Sequence, residues 1–454
     1  MVDMKKVDSY LDAHLDESIA ELSKLVAQPS ISAKQLGLGE CAEMTAEMLR
    51  SRGFRVEIAP TGGAPVVFAE RKGKSERTIL FYNHYDVQPE EPVELWTSPA
   101  FAPEIRNGKL YGRGVGDDKG HFVGRLFAID ALLDQCGELP CTVKFLLEGE
   151  EEVSSGHLHP YVEQNVEKLK ADVCIWEFGA VDSRDVPIQY LGLRGICYVE
   201  LSVETASQDV HSGIGGSIFP NAAWRLVWAL NTLKDEKEHI RIPGFYDKVR
   251  RPSERDIELL AALPDHGPEY KEQYGLAGFL NGLTGGLELS VAEVFQPTCT
   301  ICGLNSGYQG AGSKTVLPAK ASAKIDFRLV PDQRPEEVLR LLRAHLDREG
   351  FEDVKVTFLG GEAPARTDPD DPFVNLAVET AREPYGVPMQ IVPMTGGSGP
   401  NAIVQDALHI PILTAGIIDP FSGSHAPDEN IRLDLYLKGA KHIARILQAI
   451  GEMK

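Results

Sequence analysis

The residues of this chain that could do chemistry stand at the ends of short apolar runs. TILFYN (78–83) leads into His84, Tyr85 and Asp86, and VKFLL (143–147) leads into Glu148, Glu150, Glu151 and Glu152. DVCIW (172–176) leads into Glu177, and PILTAGI (411–417) precedes a Gly/Ser loop that carries His425. Imidazoles and carboxylates are metal-ligand types, and open α/β sheets bind ligands beyond the carboxyl ends of their strands. His84 and Asp86 lie two apart in extended chain and so point the same way, as a carboxylate must to fix an imidazole tautomer. Glu151 and Glu152 are adjacent and diverge in extended chain, so that one can ligate while its neighbour serves as general base. Either pair alone reads most simply as a polar loop. Four strands converging on one edge favour a metal centre.

The loop YGRGVGDDKGH (111–121) invites comparison with a phosphate loop, which needs Gly before Lys and Ser or Thr after it. Here Asp118 precedes Lys119 and Gly120 follows, and Asp117 takes the third Gly position of a dinucleotide fingerprint. Two aspartates would also repel phosphate. The loop is better suited to deliver a carboxylate to a crowded polar centre. His84, Asp117, Glu152, Glu177 and His425 then form a two-metal hydrolytic inventory, a bridging Asp with one His and one Glu per metal. Imidazoles favour zinc, and manganese or cobalt suit the same set.

The elements that must position these residues follow from periodicity. Helices are expected over residues 7–27, 40–52 and 119–134, and strands over 65–70, 78–83, 142–147 and 172–176. This alternation predicts an α/β sheet with helices on both faces. From residue 193 the grammar changes. A strand at 194–204, a helix at 221–233, a Pro- and charge-rich stretch at 242–274, strands at 295–304 and 321–329, a helix at 335–349 and a strand at 354–359 suggest a small α+β sandwich. After Pro364 the α/β pattern resumes, with a helix at 373–385, a strand at 412–415 and a terminal helix from about 433. A chain of 454 residues exceeds one core, since single cores stop growing near roughly 250–300 residues. The expected division is a discontinuous catalytic domain, 1–192 with 365–454, and an inserted domain, 193–364.

Composition narrows the classes. A net charge of −21 argues against nucleic acid and anionic lipid as partners. Seven cysteines suggest a reducing compartment rather than a disulfide scaffold, and no apolar run approaches a membrane span, so a cytoplasmic location is expected. Cys299 and Cys302 fall in an expected strand on opposite faces and read as incidental. His157 and His159 read as an exposed loop-to-helix pair, His14 and His239 as solvated, and His121 is left open.

Longer motifs carry a resemblance. HYDVQP (84–89), WTSPAFAPEIRNGKLYGRGVGDDKG (96–120), LLEGEEE (146–152) and YLGLRGICY (190–198) resemble the co-catalytic metallopeptidases, the family of carnosinases, bacterial dipeptidases, aminoacylase and glutamate carboxypeptidase. DVHSGIGG (209–216), GSKTVLPAK (312–320), DFRLVPDQ (326–333), TGGSGP (395–400) and SGSHAPDE (422–429) continue it in order, most densely on the carnosinase-like side. The resemblance implies a zinc-peptidase-like catalytic domain, with helices on both sides of a mixed sheet, and an inserted lid and dimerisation domain. It implies two divalent ions per subunit, one held by His84 and Glu177, the other by Glu152 and His425, with Asp117 between them. Asp86 would orient His84, and Glu151 would be the base for a metal-activated water. His211 would reach the partner's active site in a homodimer and polarise the scissile carbonyl. Arg328, Thr315, Gly397 and Ser398 would hold the substrate carboxylate. The implied substrates are dipeptides or short peptides with a free carboxylate. Glu177 stands where dipeptidases of the family commonly carry Asp, which keeps N-acyl or N-carbamoyl amino acids open as substrates. A non-catalytic metal-binding homologue is the alternative of a different class.

Overall fold

A computed structural model describes residues 2–453, which divide into two compact units. Among the described residues, the first comprises 2–192, 366–393 and 400–453; the second comprises Leu193–Ala365 and Met394–Gly399. The TGGSGP segment thus contributes its first residues to the second unit.

The first unit is built on a six-stranded mixed sheet in the order Arg55–Ala59, Val66–Arg71, Thr142–Glu148, Thr78–His84, Val173–Trp176, Ile412–Thr414. The last four of these run parallel to one another, so their carboxyl ends share one edge. His84 pairs with Glu148 in register, and Glu177 directly follows its strand. Both faces are buried, which is why these strands read as unbroken apolar runs rather than alternating ones. Ile79, Phe81, Val143, Phe145 and Ile175 face one core, shared with helices Lys119–Cys136 and Leu433–Glu452. Leu80, Tyr82, Leu146, Cys174 and Trp176 face the other, shared with helices Leu158–Gln164 and Asn401–Leu408. The expected α/β class with helices on both sides of a mixed sheet is what the chain adopts.

The second unit holds a four-stranded antiparallel sheet, ordered Thr300–Ser306, Lys320–Leu329, Gly195–Glu204, Lys355–Glu362. Cys197, Val199, Leu201 and Val203 alternate into a core with Ile325, Phe327 and residues of helices Ala222–Leu233 and Pro335–Arg348. Three local expectations need correcting. The helix expected at 7–27 is two, Met4–Ala13 and Leu15–Val26, interrupted at His14, whose ring stacks on Tyr10. The stretch 242–274, read only as Pro- and charge-rich with no element assigned, contains helices Glu254–Ala261 and Gly267–Tyr274, the first closed by a Ser253/Asp256 capping box. The strand expected from 295 begins only at Thr300, because helix Gly286–Phe295 runs up to it.

Candidate metal centre

Five candidate ligands from five separate segments meet at the shared strand edge of the first unit. Asp117 lies between the two histidines: Oδ1 is 3.0 Å from His84 Nε2, and Oδ2 is 3.0 Å from His425 Nε2. Glu177 Oε2 lies 3.9 Å from His84 Nε2, and Glu152 Oε2 lies 3.1 Å from His425 Nε2. The five thus sort into a His84–Glu177 side and a His425–Glu152 side joined by Asp117. Ligand atoms of His84, Asp117 and Glu152 lie within 4.8 Å of one another.

Each group is held by its neighbours. His84 Nδ1 donates to the backbone carbonyl of Asp86 at 3.0 Å, with the Asp86 carboxylate 3.4 Å away. This fixes Nε2 as the nitrogen facing Asp117. The buried Asp86 carboxylate also accepts from the backbone amides of Glu151 and Glu152, at 3.2 and 3.1 Å. Those two glutamates occupy a 3₁₀ turn, Glu151–Val153, and not the extended chain expected of them. Gln88 Nε2 donates to Glu152 Oε2 at 2.7 Å, and the Trp176 indole donates to Glu177 Oε1 at 3.1 Å. Beneath the site Arg125 donates to Tyr82 O, Asn83 Oδ1 and Trp176 O, fastening two of the strands together. His425 has φ 63°, a left-handed backbone that non-glycine residues keep only where their surroundings over-determine it.

The electrostatics are those of a carboxylate cluster that attracts cations. Burial lowers the His84 pKa, but Asp117 and Asp86 outweigh it and raise the imidazole well above its ordinary value. Asp117 and Glu152 raise His425 to about 10. Burial would raise Asp117, yet His425 and His84 hold it well below the usual carboxylate range. Glu151 is pushed up to about 8, chiefly by burial. Burial and then Glu151 raise Glu177, whose buried Oε2 has no hydrogen-bond partner among the described residues. Two imidazoles, a carboxylate with both oxygens engaged and two further carboxylates form a donor set suited to a pair of divalent ions.

The remaining candidates lie in the second unit. His211 is exposed, accepts from Gly213 N at Nδ1 (3.0 Å), and places Nε2 3.4 Å from the Thr315 hydroxyl. Arg328 donates from Nη1 to Ser398 Oγ at 2.9 Å and from Nε to Asp326 Oδ2 at 3.3 Å. Gly397 is exposed, and its carbonyl accepts from Arg194 N at 2.9 Å. Of the residues set aside from the sequence, Cys299 is buried and Cys302 exposed, and His157 pairs with Glu150 at 2.6 Å. His121 is buried, with Nδ1 3.2 Å from Asp118 Oδ1, and Ile417 N donates to its Nε2. Sequence reasoning missed Gln88 and Trp176 as supports of Glu152 and Glu177. The only signal for either was its place in a ligand-bearing motif.

A profile of peptidase family M20/M25/M40 matches residues 80–449. Beta-Ala-His dipeptidase of Mus musculus is 28% identical over 97% of this chain and 94% of its own length. Cys-Gly metallodipeptidase dug1 of Schizosaccharomyces pombe is 28% identical over 96% of each chain. Among solved structures, the M20 family metallo-carboxypeptidase Sso-CP2 from Sulfolobus solfataricus superposes with a TM-score of 0.90 at 36% identity, covering 96% of this chain and 100% of that one. These findings bear out the resemblance drawn from the motifs, and the chain belongs to peptidase family M20/M25/M40.

Proposed function

We propose that this peptidase hydrolyses dipeptides or short peptides with a free carboxylate, using two divalent ions held by His84, Asp117, Glu152, Glu177 and His425. The observation that carries the reading is Asp117, each of whose oxygens lies 3.0 Å from a different histidine. Zinc is the favoured ion, with manganese or cobalt compatible. Bound there, the ions would supply water activation and Lewis-acid stabilisation of developing charge. Glu151, on the turn held by Asp86, takes the proton of the attacking water and delivers it to the leaving amine. Asp86 fixes the His84 tautomer. His211 donates to the carbonyl oxygen as charge builds on it. Arg328, with Ser398, Gly397 and Thr315, receives the substrate carboxylate, for which a planar guanidinium is the suited partner.

The substrate assignment draws on the dipeptidases among the relatives. Glu177 favours a second reading, hydrolysis of N-acyl or N-carbamoyl amino acids. A panel of dipeptides and N-acyl amino acids, assayed with added zinc, manganese or cobalt, decides between them. Turnover of acyl substrates alone would replace the first reading by the second. Binding of two ions with no turnover of either class would make the chain a non-catalytic homologue.

We also propose a homodimer formed through the second unit. Trp224 and Trp228 stand exposed on helix Ala222–Leu233, and Ile301 and Leu304 are exposed on strand Thr300–Ser306, an edge of its sheet. Apolar side chains beside an unpaired strand edge suit a second copy of the chain. A fully active species that sediments as a monomer would remove this assignment and the role of His211 in a partner's site. No described helix is long and apolar enough to cross a membrane. All seven cysteines are unpaired, in keeping with the proposed cytoplasmic location.

A further inference from the structure

Four residues beyond His425 lies Glu429, fully buried and outside every role assigned above. Its Oε2 accepts from Arg113 Nη1 at 2.8 Å and from Gly114 N at 3.0 Å. Its Oε1 accepts from Gly116 N at 2.9 Å and from Asp117 N at 3.1 Å. Its backbone carbonyl accepts from Gly112 N at 3.0 Å. One residue therefore receives donors from five of the six residues 112–117, ending on the amide of Asp117 itself. The pairing continues beyond it as a short antiparallel ladder, Asn430 with Tyr111 and Ile431 with Leu110.

The segment before Glu429 is closed with equal care. Asn430 Nδ2 donates to the carbonyls of Phe421 and Asp428, and Asn430 N donates to Ser422 O. The loop that presents His425 is thus tied shut at the point where Glu429 enters. Glu429 stands at the common base of two loops, one carrying Asp117 and the other His425, whose tips meet at 3.0 Å.

We infer that Glu429 is a positioning residue that sets the span of the metal centre by fastening the Asp117 loop to the His425 loop. A carboxylate present only to neutralise buried Arg113 would need one oxygen. Here Oε1 is given wholly to the amides of Gly116 and Asp117. Ligand constellations must be held within about 0.5 Å of productive geometry, and groups behind the ligands do the holding. The inference rests on the two-metal reading and assigns to it a residue without contact to either ion.

The test loads Mn²⁺ into wild-type protein, Glu429→Gln and Glu429→Asp. It reads the affinity of each ion by titration, the spin coupling between the two ions by electron paramagnetic resonance, and the melting temperature in chelator. Glutamine keeps the shape but turns an amide donor toward donors on one side. Aspartate keeps the charge opposite Arg113 but draws it back by one methylene. Expected in each is a second ion bound about 10–100-fold more weakly, with the coupling reduced or lost. A folded variant with wild-type coupling and affinities overturns the inference even if it melts earlier, because Glu429 then serves the fold alone. Failure of both variants to fold assigns it to the fold as well. Wild-type protein that binds fewer than two ions overturns the two-metal reading together with this inference, whereas two coupled ions in wild type and unchanged variants overturn this inference alone.

Discussion

The metal centre of the first unit and the polar residues of the second are held in different ways. Around Asp117 each candidate ligand except His425 has a second protein contact that fixes it from behind, and His425 is set by its backbone. In the second unit His211 is exposed, and its ring meets Gly213 N and the Thr315 hydroxyl, while Arg328 is held by Ser398 and Asp326. The difference teaches where preorganisation is required. Ligands that must hold two cations at a set span have to be fixed beforehand, whereas groups that meet the substrate can be left to settle as it arrives.

The largest expected effect tests the fixed side. Glu151→Gln should keep two ions per chain by metal analysis and lose turnover by about 10²–10⁴-fold, the range of a general base. A variant that stays active removes Glu151 from that role and with it the reason for the Asp86 hold on its turn. His211→Ala comes next, at about 10²–10³ in kcat with little change in melting temperature, as expected for an exposed donor to an oxyanion. A marked loss of stability would show that the exposed side is as tightly built as the buried one. Arg328→Lys should act mainly on KM, raising it roughly tenfold, which corresponds to about 1.4 kcal/mol. A fall in kcat with unchanged KM would place Arg328 with the fixed charges instead.

The last effect, which leaves activity untouched, concerns stability within the first unit but away from its site. His442 is buried on the terminal helix, donates from Nε2 to Ala377 O, and has its pKa lowered to about 4, chiefly by burial. The folded protein therefore favours the neutral ring. Its contribution is complete above the ordinary value near 6.5 and is lost as the pH falls toward 4, because the unfolded chain takes up the proton first. Between those values the slope due to this group approaches about 1.4 kcal/mol per pH unit. His442→Gln should lack that part of the slope in urea unfolding from pH 7 to 4.5. An unchanged slope would count against burial as the cause.

Much of this was legible from residue types. The strands of the first unit could be read because sheet faces buried on both sides demand apolar runs, and the ligands because they end those runs. The supports were harder to see. Glu429 is more than three hundred positions from the loop it holds, and only the folded course of residues 112–117 gathers those donors around it. Asp86 was expected beside His84. Its hold on the Glu151 and Glu152 amides depends on a turn that adjacency alone does not foretell. The helices within 242–274 were masked by proline and charge, although Ser253 and Asp256 are spaced as a capping box.

The indole of Trp176 lies stacked on Tyr82, with ring centroids 3.8 Å apart, while its N–H meets Glu177. A fluorophore is thereby wired to a proposed ligand. Any cation taken up by Glu177 changes the field along the indole and so its emission. With Trp96, Trp224 and Trp228 replaced by phenylalanine, Trp176 is the remaining indole, and the protein should carry an optical gauge of its own metal loading, readable without substrate and in real time.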